Sequence, residues 1–475
     1  MPFLSLKRNP NPLLQSFTEN NKRNFGGIFY PRRKITVVRA PGRIDVMGGI
    51  ASKCGVTALE MPLQEAVILG IQERNDRQLL IRSVGIDQQE YTPTVNFNLD
   101  EFRFNGRLRS YREIRRKITR DPAKEWAGHV AGIFFILLKE RIIEAFDSGA
   151  NIGIVSTIPI KRGVASSAAL EVATITALNR IYNIKMETAE SIKLCSFAET
   201  YIMGRQRNSI EHLSAFWGEI NKLLAVHYQP DEIIGSYVLP KGFRIIGINS
   251  KIRHSKADER SKMVYVAMDI GKHIIINHVK RTENIANPFD GYLCNITPEE
   301  FEGSFKKLIP GQVLGNEFLR ELQGDKKLRE CIDPAKKYRV RSSVQHMIHE
   351  NARSQKFINI LLEKDRDAED RMIDAGEIMY GSDESYSRKL GLKTKETDLL
   401  ISLVKERGQR HGLYGAKCTS DGSGGTIAVL AANDTDDVLR NIAAQYHDET
   451  GLEAQLFLNS SPGALAFGTQ TVQFD

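Results

Sequence analysis

From Lys34 onward, short apolar runs alternate with turn residues. KITVVRAPG, EAVILGIQE, RQLLIRSV and YTPTVNFNL are β-prone segments with no room between them for a helical crossover, which predicts an antiparallel sheet. WAGHVAGIFFILLKERIIEAF then predicts an amphipathic helix. IGIVSTIPIKRGVASSAALEVATITAL predicts strand, turn and helix, and TAESIKLCSFAETYIMG a further helix with Thr188 as its cap. Beyond Tyr237, FRIIGINS is expected to be a strand and MVYVAMDIGKHIIINHV a helix. HMIHENARSQKFINILLEK and DRMIDAGEIMYGS are two more helices, and GLYGAKCTSDGSGGTIAVLAA is a glycine-rich turn feeding a strand. The pattern predicts a polar, loosely docked arm over 1–33 and two α+β units, 34–225 and 226–475.

The 475-residue length supports two domains, and 41% apolar with 26% charged residues is ordinary for a soluble globular chain. A net charge of +8 suits an anionic small ligand or weak nucleic-acid affinity and decides little between them. The arginine-dense stretch Arg103–Arg120 has thin aromatic interleaving, so a solvated or anion-facing helix surface is preferred to a nucleic-acid contact. Five scattered cysteines without C-x-x-C pairing fit a reducing cytosol rather than a disulfide framework or zinc site. No signal peptide is read, and AGIFFILL is too short to span a bilayer, so a cytoplasmic protein with no membrane partner is expected.

The turn TIPIKRGVASSAALEVA carries the clearest chemistry. The first N–H groups of its helix lack intrahelical partners, and the dipole places positive charge there. Gly163 lets the backbone approach a ligand, Lys161 and Arg162 add cations, and Ser166 and Ser167 offer hydroxyls to phosphate oxygens or a metal ion. An ordinary serine-capped helix is the alternative. The segment is no P-loop, since no G-K-[ST] ends it, and SDGSGG is no dinucleotide fingerprint, since its strand follows the glycines. HMIHE has the order H-x-x-H-E rather than the H-E-x-x-H of zinc helices, and Trp126 and Trp217 are expected to pack in the core.

Three segments, APGRIDVMGG (Ala40 to Gly49), IPIKRGVASSAALEVA and GAKCTSDGSGGT (Gly415 to Thr426), resemble the three ordered motifs of GHMP small-molecule kinases. PGRIDVMGGI is more similar to arabinokinases than to galactokinases. WAGHVAG, GEINKLLA, IDPAKKYRVRSS and HENARSQKF extend the likeness over most of the chain, about 34–432. The resemblance implies a GHMP fold, with a ribosomal-S5-like N-terminal and a ferredoxin-like C-terminal domain. It implies an ATP-dependent sugar kinase acting at the anomeric carbon, with Mg2+. Lys161, Gly163, Ala165, Ser166 and Ser167, with Gly422, Ser423 and Gly424, would then hold the nucleotide. Ser167 and Glu199 would hold the metal, Arg43 would support the transferring phosphate, and Glu211, twelve positions beyond Glu199, would stand at the base position.

The chain departs from its relatives at the chemistry. Around the base, RQRNSIEHL replaces a PCGIMDQ-like pattern, and Arg205 and Arg207 are new neighbours able to lower the basicity of Glu211. Ser52, Lys53 and Cys54 replace the DYS of the sugar segment, leaving Ser52 and Lys53 as candidate substrate contacts. Ser420 and Asp421 precede Gly422 where relatives carry glycines. These changes imply either a kinase rebuilt for a more anionic sugar or sugar acid, or a pseudokinase that senses ligands or binds a protein partner. Retention of Arg43, Ser167 and Glu199 favours the enzyme.

Overall fold

The computed structural model describes residues 15, 17–18, 25–204, 209–229, 231–252, 257–422 and 424–474. Its strands fall mainly into two sheets. The larger has eight strands: β1 (Lys34–Met47), β2 (Thr57–Glu73), β3 (Gln78–Val84), β4 (Thr94–Asn98), β5 (Ala150–Ser156), β6 (Lys222–Tyr228), β7 (Asp231–Val238) and the C-terminal β12 (Thr469–Gln473). The order β12-β1-β2-β5-β3-β4 forms its body, with β6 on the early part of β2 and β7 beyond β6. The expected division at residue 225 falls within β6, and the last strand returns to the first.

Pairing is antiparallel throughout this sheet except between β3 and β5, where Leu79 to Val84 run parallel to Ala150 to Val155. Parallel pairing needs a long return path. Here 65 positions intervene, including the helices α1 (Tyr111–Ile118) and α2 (Gly128–Lys139). The arginine-dense stretch forms a small hairpin and α1, which opens on a Ser110–Glu113 capping box and buries only Ile114 and Ile118.

Helix α2 differs from its expected form in two ways. Every residue from Gly128 to Leu138 is buried, so it is an interior helix without an amphipathic face. It stops at Lys139 rather than running to Phe146, because Arg141 takes a left-handed φ of 58° that ends the ladder. Helix α3 (Ser166–Ile181) follows β5, and α4 (Thr188–Phe197) follows α3. Glu187, not Thr188, occupies the cap position of α4, and no side-chain bond closes it. The helix then widens into a π turn, Ala198–Ile202, that carries Glu199.

The smaller sheet takes β8 (Phe243–Asn249), β9 (Leu413–Cys418), β10 (Thr426–Ala432) and β11 (Gln455–Phe457) in the order β9-β10-β8-β11. One hydrophobic cluster runs through both sheets, from Ile44 and Leu69 to Ile248 and Val429. A second lies against the other face of the large sheet. There Phe17, Phe25 and Phe29, from the arm expected to dock loosely, pack with Ile35, Val37 and Phe474. A Cβ on Gly70 would meet the Phe17 ring at 2.2 Å, so the aromatic sits directly on the sheet backbone. Among the described residues, no helix is long and apolar enough to cross a membrane.

Candidate active site

The turn between β5 and α3 is curled by left-handed backbone at Lys161, Gly163 and Ala165, with φ of 58°, 74° and 60°. Ala165 is the N-cap of α3 and makes no side-chain cap bond. The serine-capped alternative therefore fails: Ser166 and Ser167 are the first two helical residues, and the cap before them has no side-chain acceptor. The helix start is left open to an anion. Lys161, Gly163, Ala165, Ser166 and Ser167 line one cavity, to which Tyr91, Trp126 and Leu170 give an apolar wall. Trp126, expected in the core, is 7% exposed and takes part in this wall, with its Nε1 donating to Thr92 O at 3.0 Å.

The third glycine-rich segment joins β9 to β10 as a hairpin and packs behind this turn. A Cβ on Gly424 would stand 1.9 Å from the carbonyl carbon of Arg162 and 2.0 Å from Gly163 N, so only glycine fits. Asn249 Nδ2 donates to Gly424 O at 3.1 Å, and Thr426 Oγ1 donates to Arg162 O at 2.5 Å. Gly422 lies under Tyr386, whose hydroxyl donates to Asp421 O. Neither Gly422 nor Gly424 lines the cavity; Gly424 packs against the backbone of Arg162 and Gly163, which do. Ser423 lies outside the described residues.

Arg43 reaches the same turn from β1. The β1–β2 register shifts at Pro41/Arg43 and again at Asp45/Met47, and such irregularities re-aim side chains. Arg43 N donates to Val164 O at 3.1 Å, and its Nη1 donates to Gly163 O at 2.8 Å. Its Nη2 pairs with Glu211, in the first turn of α5 (Ile210–Trp217), and donates to Ser420 Oγ at 3.3 Å. Its Nε stands 2.8 Å from Glu60 Oε1. Arg43, Glu60 and Glu211 are all buried. Burial pushes the Glu60 carboxyl up to about 8 despite the pull of Arg43, and Asp45 and Glu211 add to the push. Arg205 and Arg207, expected beside Glu211, lie outside the described residues.

A second buried ion pair anchors the segment that follows. Lys417 Nζ is 3.1 Å from Asp45 Oδ1, and Asp45 Oδ2 accepts from Gly49 N at 2.8 Å. Burial lowers the Lys417 ammonium's pKa, and Asp45 and Glu350 more than reverse it, so the lysine stays charged. Gly49 begins the 3-10 turn Gly49–Cys54 that carries Ser52 and Lys53. Ser52 is half-buried and does not line the cavity; the Lys53 side chain lies outside the described residues. The HMIHE stretch lies in a long helix, Val340–Leu362, where His346 bonds Ser385 Oγ at 2.9 Å and Glu350 accepts from Ser382 Oγ at 2.7 Å.

Residues 131–210 match the family model described as the GHMP kinases N-terminal domain. L-arabinokinase of Arabidopsis thaliana is 31% identical over an alignment covering 95% of this chain. The chain carries a GHMP kinase N-terminal domain. It spans 48% of the length of that arabinokinase. A galactokinase of Actinobacillus pleuropneumoniae serotype 3 is 24% identical, with 89% of this chain and 92% of the relative aligned. The crystal structure of Lactococcus lactis galactokinase complexed with galactose shares the fold at a TM-score of 0.69 and 19% identity, covering 97% of this chain and 100% of that one. A mevalonate kinase of Methanococcus jannaschii shares it at a TM-score of 0.54 and 16% identity, covering 88% and 96%.

Glu199 lies at the end of a buried polar cluster that sequence reading missed. Glu171 of α3 bonds His129 Nδ1 of α2 through one oxygen and His212 Nε2 of α5 through the other, both at 2.7 Å. One donor atom from each of His129, Glu171 and Glu199 lies within 4.8 Å of the others. His129 and Ser167 line the same cavity. The cluster draws on separate helices, and no spacing in the sequence announces it.

Proposed function

We propose that the chain is an ATP-dependent sugar kinase that transfers the γ-phosphate to a hydroxyl of a sugar or sugar acid, at the anomeric carbon. The observation that carries this reading is the position of Arg43, whose guanidinium bonds both the phosphate-type turn, at Gly163 O, and the buried carboxylate of Glu211. The apolar wall at Tyr91 and Trp126 suits a nucleotide base, while Lys161 and the N-terminus of α3 suit its phosphates.

In this reading Glu211 takes the proton of the acceptor hydroxyl, and the alkoxide oxygen bonds the γ-phosphorus as the bond to the β-phosphate oxygen breaks. Arg43 offsets the charge on the transferring group. An arriving phosphate competes for the Arg43 guanidinium and releases Glu211 to act as base. Ser167 and Glu199 are hard oxygen donors that fit Mg2+, which when bound would neutralise the nucleotide phosphates. Ser52 and Lys53, in the turn tethered by Asp45, would contact the acceptor. A cationic Lys53 there favours an acidic sugar.

The named relatives are kinases, which supports the enzyme over the pseudokinase regulator. The test is phosphate transfer from ATP across a panel of neutral sugars and uronic acids, with product analysis at the anomeric position. Turnover at background across the panel, with ATP still bound, would sink the enzyme reading.

A further inference from the structure

We propose that His129, Glu171 and Glu199 form a divalent-cation site with a nitrogen donor, one that takes a first-row transition ion of the Mn2+ class in preference to Mg2+. The proposal deepens the kinase reading, with which it shares Glu199.

The geometry is that of a chelating set. One ring nitrogen of His129 and one oxygen from each glutamate lie within 4.8 Å of one another, close enough for an ion with bonds of about 2.0–2.2 Å to draw them together. All three residues are buried: His129 is 6% exposed and the two glutamates 0%. They come from α2, α3 and the π turn after α4, so the fold rather than a flexible loop fixes their spacing. His212 holds the other oxygen of Glu171 at 2.7 Å, the kind of outer partner that orients a metal-ligating group.

The donor set decides the class of ion. Mg2+ prefers oxygen ligands and keeps its waters, whereas an imidazole beside two carboxylates shifts preference toward Mn2+ and the later first-row ions. His129 also lines the cavity that Ser167 faces, which provides an entry path and places a bound ion beside the phosphate-type turn.

The test uses the full chain, stripped with chelator and free of nucleotide, titrated with MnCl2 while the signal of free Mn2+ is followed by electron paramagnetic resonance. The expected result is one Mn2+ bound per chain, not displaced by an equal concentration of Mg2+. Binding should weaken at least tenfold in His129→Ala and in Glu199→Gln, and about tenfold in His212→Gln, as loss of an outer partner typically does. Circular dichroism and the metal-free melting temperature check that each variant folds, and Glu199→Gln keeps the test alive if His129→Ala does not. Absence of Mn2+ binding, equal binding in folded His129→Ala, or displacement by equimolar Mg2+ overturns the proposal. The phosphotransfer panel separates the two readings. Mn2+ binding without transfer upholds the site and sinks the kinase, while transfer with Mg2+ and no Mn2+ binding does the reverse.

Discussion

Arg43 is ion-paired to Glu211, the carboxylate at the expected base position, by the same guanidinium that bonds the phosphate-type turn. In the proposed reaction the pair would make Glu211 a restrained base, neutralised until a phosphate competes for the arginine. Glu211→Gln keeps the size of the side chain and removes the proton acceptor. Turnover is expected to fall by about 100- to 10,000-fold, the usual worth of a positioned base. The ATP-induced thermal shift should stay within error of the parent. Loss of that shift as well would assign Glu211 to packing instead.

Glu60 is the other carboxylate at Arg43, and its position makes stability depend on pH. Its folded value of about 8 lies above the ordinary 4.5, so the folded state holds the proton more tightly than the unfolded chain. Its contribution is full below about pH 4.5 and is lost as pH rises through about 8. The loss is on the order of a few kcal/mol, since each tenfold gain in proton affinity on folding is worth about 1.4 kcal/mol. Glu60→Gln should flatten this alkaline decline in urea unfolding measured from pH 5 to 9. A variant with the parent's slope would show that another group carries it.

Lys417 and Asp45 are buried at 3% exposure each, and the pair joins the third glycine-rich segment to the turn carrying Ser52. Removing one partner strands a charge. Lys417→Ala should cost about 3–5 kcal/mol in denaturant unfolding. Asp45→Asn should cost less, because its amide oxygen still accepts from Gly49 N. Equal costs for the two would mean that the charge of Asp45 matters more than its bond to Gly49.

How much of this was legible in the sequence follows physical lines. The strands β1 to β4, the turn at Gly163 and the long helix of HENARSQKF were readable because local periodicity and turn residues specify them. The parallel β3–β5 pairing was not, because it depends on which strands meet after a long excursion. The early end of α2 was missed because an apolar run gives no sign that Arg141 will turn left-handed. At the site, the family motifs singled out Arg43 and Glu211 but not the second carboxylate at Arg43, since Glu60 lies in an unremarkable strand. His129, Glu171 and His212 escaped for the same reason, each reading as an ordinary helical residue.

Gly424 offers the sharpest test of the link between the third segment and the turn at Gly163. An alanine there would place its Cβ 1.9 Å from the carbonyl carbon of Arg162 and 2.0 Å from Gly163 N, and backbone on both sides cannot yield as a side chain can. The hairpin is held by Asn249 and Thr426, so the displacement falls on the turn, whose carbonyl at Gly163 also bonds Arg43. Gly424→Ala should therefore destabilise the fold by only about 1–3 kcal/mol, as overpacking does. Misplacing reacting groups by about 1 Å costs roughly a hundredfold, so transfer should suffer far more than stability. ATP titration by thermal shift should show weakened binding in the folded variant. Gly303→Ala, where nothing lies within 4 Å of the added Cβ, serves as the neutral control. Parent-like ATP affinity in Gly424→Ala would show that the hairpin does not set the shape of the turn.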